Sequence, residues 1–162
     1  MIRTRQVWIG GAAFAAGLSA LTPALAAPAA PVAGPAFEVD VTLSPAAAAR
    51  LANPKETIIV DAAIYGVPTS PKLLAQTEGR LDLAPERKIE IASAGAARFA
   101  ATKLDAAKLG EVEGHAARVA IEVFSGRHSS PDNLLDCDFF DDLLTVAATK
   151  PVQAHCKLIG EQ

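Results

Sequence analysis

The sequence predicts an all-β domain with minor helix: an antiparallel β-sandwich of about seven or eight short strands, linked by turns and short connecting helices. Three observations carry this. Several segments alternate apolar and polar side chains with a period of two, from Phe37-Glu38-Val39-Asp40-Val41 to Val152-Gln153-Ala154-His155-Cys156. Gly, Pro, Asn and Asp punctuate the chain at short intervals. No stretch between successive strands is long enough for the crossover helix that a parallel sheet requires.

The first 26 residues read as a cleavable secretion signal. Arg3 and Arg5 precede an apolar stretch from Val7 to Leu21, and Pro23 breaks any helix. Ala24, Leu25 and Ala26 then place small residues where a signal peptidase reads them, with cleavage after Ala26. Gly10, Gly11, Gly17 and Ser19 dilute the stretch below what a spanning helix of about 20 apolar residues needs. No Cys lies near the cleavage site to take a lipid, and Thr4 separates the two arginines that twin-arginine export would pair. The expected address is periplasmic or secreted, with no stable membrane insertion after cleavage. Residues 27–36, mostly Ala and Pro, are expected as a disordered tether. Residues 37–162 then make one domain.

Within it, Phe37 to Ser44 alternates strictly, with Phe37, Val39, Val41 and Leu43 on one face of a half-buried strand. Ser44 fits a helix N-cap and Pro45 a first helical position, so a short helix should run to Leu51 and stop at Asn53-Pro54. Thr57 to Tyr65 is apolar on both faces except at Asp61, which predicts a central strand covered on both sides or nearly so. A loop containing Gly66, Pro68, Ser70 and Pro71 follows, with a helical turn over Lys72–Gln76. Short strands are expected at Arg80–Leu83 and Lys88–Ala92. Ala94-Gly95 suits a hairpin turn into a strand over Ala97–Thr102. Asp105–Leu109 should be a brief helix closed by Gly110.

Arg118–Phe124 is expected as a strand with Val119, Ile121 and Val123 inward, and Ser125–Asn133 as a polar loop. Leu134–Phe140 resumes the alternation, with Leu135, Cys137 and Phe139 inward and Asp136 and Asp138 outward. Asp141–Ala148 suits a helical turn with acids at its start, and Val152–Ile159 closes the domain. In outline the pattern resembles immunoglobulin-like or transthyretin-like sandwiches; the resemblance is one of architecture.

Cys137 and Cys156 are the only cysteines. Each falls on the inward side of its strand, and an exported chain favours a disulfide between them. Closing a loop of that length stabilises the fold by about 3 kcal/mol in the chain-entropy picture. The pair lacks the two-residue spacing of a redox motif.

Composition narrows function more by exclusion. Without the leader, 13 basic residues stand against 18 acidic ones, a net charge of −5 with no basic cluster. That argues against nucleic acid, which demands phosphate neutralisation, and against anionic lipid. Aromatic rings are few, and Tyr65 and Phe140 look the most available for stacking. Asp136, Asp138 and Asp141 are weak candidates for a Ca²⁺ site, since the run lacks the Gly and terminal Glu of a calcium loop. His115, His128 and His155 are dispersed. A loop serine with His128 and Asp132 could make a hydrolytic triad, but there is no Gly-x-Ser-x-Gly elbow. No cofactor motif is present.

The loop residues Arg127, His128, Ser129, Asp132 and Asn133 remain as the candidate binding loop, because loops on a rigid sandwich commonly carry recognition. The first expectation is a non-enzymatic exported module that binds another envelope protein. The alternatives are a small metal- or ligand-binding periplasmic carrier and a hydrolase with a loop site.

Overall fold

The computed structural model describes residue 30 and residues 32–52 and 55–162. The leader with its Ala26 cleavage site, most of the first half of the tether, and the Asn53-Pro54 helix stop lie outside the described residues. The elements in order are β1 (Val32–Gly34), β2 (Phe37–Leu43), α1 (Pro45–Ala52), β3 (Ile58–Gly66), α2 (Pro71–Gln76), β4 (Leu81–Asp82), β5 (Arg87–Ile91), β6 (Gly95–Phe99), β7 (Thr102–Leu104), α3 (Ala106–Leu109), β8 (Arg118–Ser125), β9 (Leu135–Cys137), β10 (Phe140–Leu143), α4 (Leu144–Ala147) and β11 (Val152–Leu158).

They form two main sheets and a ribbon. The first sheet runs β10-β8-β3, with β5 and β4 both pairing the far edge of β3; the second runs β6-β2-β11-β9; β1 pairs β7 alone. The all-β, sandwich-like architecture with minor helix is therefore as the sequence predicts. The two-residue alternation places Val39, Val41, Ile58, Val60, Val119, Ile121, Ala154 and Cys156 in one core, each at most 3 % exposed. Across β2 and β6, Phe37 and Phe99 stack with centroids 4.7 Å apart.

The structure corrects several expectations. β2 and β11 pair in parallel, Val152 opposite Val39 through Cys156 opposite Leu43. The short-crossover argument fails here because these are the first and last strands of the sandwich, and nearly the whole domain connects them. Ala94-Gly95 closes no hairpin: β5 pairs β3 while β6 pairs β2, so the turn carries the chain from one sheet to the other. Val32–Gly34, expected in the tether, pair antiparallel with Thr102–Leu104. Val32 is the one β-branched residue of that segment, and this is the conformation such residues favour.

Two further corrections concern faces. β3 is covered by the second sheet on one side only; outward, Ile59, Asp61 and Ala63 are half-buried beneath neighbouring side chains, with Lys88 Nζ 3.0 Å from Asp61 Oδ2. Phe139, expected inward, is 57 % exposed, because the chain leaves β9 at Asp138 and enters β10 in the other sheet. Asp141 and Asp142 belong to β10 and not to a helical turn.

β10 shows how an edge is protected. The Leu144 N–H bonds the Ala117 carbonyl at 2.9 Å, which sets the ladder phase and turns the backbone of Asp141 and Leu143 outward. Arg118 Nη2 covers the Asp141 carbonyl at 3.2 Å, and the Asp142 carboxylate takes the Leu143 N–H at 2.7 Å. Two of the groups through which a foreign strand would pair are thus occupied.

Gly66 ends β3 where a side chain has no room. A Cβ there would lie 2.6 to 2.7 Å from three side-chain carbons of Val112, which is 1 % exposed and bridged through its backbone to Pro68. Gly66→Ala is expected to destabilise the fold by about 1–3 kcal/mol. Combined with Val112→Ala, it should regain part of that loss in denaturant unfolding; equal losses in both backgrounds would contradict the contact.

Candidate functional site

The Ser125–Asn133 loop carries the chain from β8 in one sheet to β9 in the other, and a buried acid organises it. Glu56 sits between α1 and β3 and is 1 % exposed. Its Oε1 accepts the His128 N–H at 2.9 Å and the Thr57 N–H at 3.1 Å. Oε2 accepts the Ser129 N–H at 2.7 Å and the Ser129 hydroxyl at 2.6 Å. Burial pushes the Glu56 pKa up, but the Ser129 hydroxyl and the N–H groups of His128, Ser129 and Thr57 outweigh it and bring the pKa down to about 2. At neutral pH the group is an anion onto which the loop folds.

Both ends of the loop are also tied. The Gly126 N–H bonds the Thr57 carbonyl at 2.8 Å, and a Cβ on Gly126 would collide with the Thr57 hydroxyl. Asn133 closes the exit: Oδ1 accepts the N–H groups of Ser125 at 2.9 Å and Leu135 at 3.1 Å, while Nδ2 donates to the Leu135 carbonyl at 2.8 Å. The buried Ser125 hydroxyl accepts the Leu134 N–H at 2.9 Å.

At the surface, His128 Nε2 lies 2.6 Å from Glu90 Oε1, which also accepts the Thr57 hydroxyl at 2.6 Å. The Glu90 contact raises the His128 pKa. The Thr57 hydroxyl, then His128, lower that of Glu90. The histidine's contribution is complete below 6.5, its ordinary value, and is lost as pH rises through its elevated one. The carboxylate's contribution is complete above 4.5 and is lost as pH falls through its lowered one. This latch is therefore tightest between those two ordinary values. A proton NMR titration should place the His128 midpoint above 6.5, and Glu90→Gln should bring it back down. An unchanged midpoint in Glu90→Gln would rule the contact out.

The candidate binding residues thus have distinct fates. His128 and Ser129 hold the loop onto Glu56 and Glu90, and Asn133 pins its end. Asp132 is exposed, its N–H on the Ser130 hydroxyl at 3.2 Å. Arg127 is also exposed, and it stands on a left-handed backbone, φ 59°. It lines a cleft of about 410 Å³ together with Phe124, Asn133, Asp136, Cys137, Asp138 and Phe139.

The alternative constellations do not assemble. The Ser129 hydroxyl is bonded to Glu56, that of Ser125 to Asn133, that of Ser130 accepts the Asp132 N–H, and His128 Nε2 lies on Glu90, so no loop serine forms a hydrogen-bonded triad with His128 and Asp132. The candidate metal carboxylates take three separate partners. Asp136 lies 3.9 Å from Lys157, Asp138 accepts the His155 N–H at 3.1 Å, and Asp141 accepts the Tyr65 hydroxyl at 2.7 to 2.8 Å and Arg118 at 3.1 to 3.2 Å. Among the described residues, no three His, Cys, Asp or Glu side chains converge on a common metal position. The histidines are apart: His155 shares the outer face of the second sheet with Thr42, His128 joins β5, and His115 contacts the end of α3.

Of the two rings expected to be available, one is covered. Tyr65 is 5 % exposed beneath the Arg80 guanidinium, 4.1 Å from its centroid, and Phe140 is half-buried. Sequence reasoning missed Glu56, Glu90 and Phe139.

Cys137 and Cys156 are joined, as neighbours opposite one another on β9 and β11. Among the described residues no helix is long and apolar enough to cross a membrane. No protein-family model, curated protein or solved structure matches this chain.

Proposed function

We propose that this chain is an exported, non-enzymatic recognition module. In this reading a sandwich in the periplasm or outside the cell binds another envelope protein through the corner formed by Arg127 and Phe139. One observation carries the reading: the most exposed aromatic ring among the described residues flanks the same cleft as an exposed guanidinium on a preorganised loop. Aromatic and Arg side chains dominate protein–protein hot spots, and rigid presentation lowers the ordering cost of binding. The leader-like N-terminus and the disulfide support an oxidising, exported setting. The acidic balance supports a protein partner over nucleic acid.

The test is photo-crosslinking in intact cells. A p-benzoylphenylalanine in place of Phe139 should give a discrete heavier adduct, and the same group in place of the similarly solvated Leu74 should not. Arg127→Ala should reduce the adduct several-fold at unchanged protein level. Adducts of equal yield from both positions, or none from Phe139, would overturn the reading.

A further inference from the structure

The ribbon β1–β7 meets β10 and α4 around a second cleft, of about 290 Å³, walled by Leu104, Leu109, Leu143 and Leu144. Only His115 and Thr145 among its lining residues have polar side chains, and no carboxylate, ammonium or guanidinium borders it. In a chain with 15 basic and 18 acidic residues, such a lining offers an ion no counter-charge. Exposed apolar side chains stand on the cleft and next to it in sequence. Val32 on the cleft is 42 % exposed and Val146 beside Thr145 is 41 % exposed, two of the five large apolar side chains exposed among the described residues. Exposed apolar surface continuous with a cleft marks a place where something docks.

His115 supplies the one oriented ring. Residues Glu113–His115 form a 3₁₀ turn in which Gly114, φ 58°, and His115, φ 50°, both take left-handed backbone. Glycine does so freely and histidine at some cost, so the surrounding structure holds this backbone in place. Its Nδ1 lies 3.2 Å from the Leu109 carbonyl oxygen. A carbonyl only accepts, so Nδ1 carries the proton and a neutral ring keeps its lone pair on Nε2. His115 is an exposed residue that lines the apolar hollow, and this acceptor is the one its ring offers there.

We propose that this cleft binds a small neutral molecule, an apolar ring or branched chain bearing a hydroxyl that donates to Nε2 of His115. At about 30 Å³ per water-sized group the space admits roughly ten non-hydrogen atoms. That is enough for a substituted phenol and too little for a peptide segment.

The test uses 4-methylphenol and toluene, which share a ring and a methyl group and differ in the hydroxyl, titrated into the nitrogen-15-labelled full chain at about pH 8. The phenol should give saturable amide shifts confined to His115, Ala116, Ala117, Leu143 and Leu144, and should bind several-fold tighter than toluene. His115→Gly keeps the left-handed backbone and removes the ring; it should weaken the phenol about tenfold and leave toluene unchanged. Thr145→Val should leave both as they were, which assigns the hydroxyl's partner to His115. No shifts in this cluster up to the probe's solubility, equal affinity of both probes, or equal weakening of both by His115→Gly would each overturn the proposal.

Discussion

Glu56→Ala is expected to destabilise the domain by about 3–4 kcal/mol and to lower its melting midpoint by about 10–15 °C. The carboxylate receives three N–H groups and one hydroxyl within 2.6 to 3.1 Å, and with 1 % exposure it has almost no water to share. Each buried donor left unpaired costs about 1–3 kcal/mol. The full sum is not reached, because the loop lies at the surface and its freed N–H groups can rehydrate once it opens. Glu56→Gln keeps the shape but turns an amide donor toward groups that are themselves donors, and should cost about 2 kcal/mol.

Acid offers a second readout of the same residue. A folded pKa of about 2 against 4.5 unfolded corresponds to about 3 kcal/mol of stability at neutral pH. That stability is complete above 4.5 and fades as pH falls toward 2. Glu56→Gln should therefore flatten the acid limb of the stability profile. Hydrogen exchange should speed at His128 and Ser129 while Val60 and Val123 in the core strands stay protected. A loss under about 1 kcal/mol for Glu56→Ala would mean that the loop does not depend on this anion.

The alternation was the most legible part of the chain because it is local. Val39, Val41, Val119, Ile121, Ala154 and Cys156 are buried where a period of two places them. Pairing is not local. Nothing between Phe37 and Leu43 signals a parallel partner more than a hundred residues later, and the argument against parallel strands held only for neighbours in sequence. Phe139 failed for a related reason, since the alternation continues on paper through the point where the chain changes sheets.

The Ser125–Asn133 loop was legible as a polar connection, but its scaffold was not. A single acid before an apolar strand carries no mark of donors that lie 72 and 73 residues onward. The one available hint was that Glu56 is wedged between a helix end and a buried strand, where an unpaired carboxylate would be costly.

Removing the disulfide through the pair Cys137→Ala and Cys156→Ala is expected to cost about 3 kcal/mol while leaving the native sheet in place. The bond joins directly opposed residues of β9 and β11, Cα to Cα 4.0 Å, and closes a 19-residue separation that contains β10 and α4. Hydrogen bonds hold β9 on either side of it: Asp138 N–H to the His155 carbonyl and Ile159 N–H to the Leu134 carbonyl, each 3.0 Å. Folded strands so held need no bridge to stay in register, so the loss should fall on the unfolded chain, which regains its freedom. The expected result is a midpoint lower by about 10 °C with an unchanged far-ultraviolet spectrum at room temperature. A reducing thiolate should enter at Cys137, which is half-buried and lines the cleft beside Arg127, because Cys156 is fully buried. Two thiols that alkylate in the folded protein without any reductant would show that the bridge had never formed.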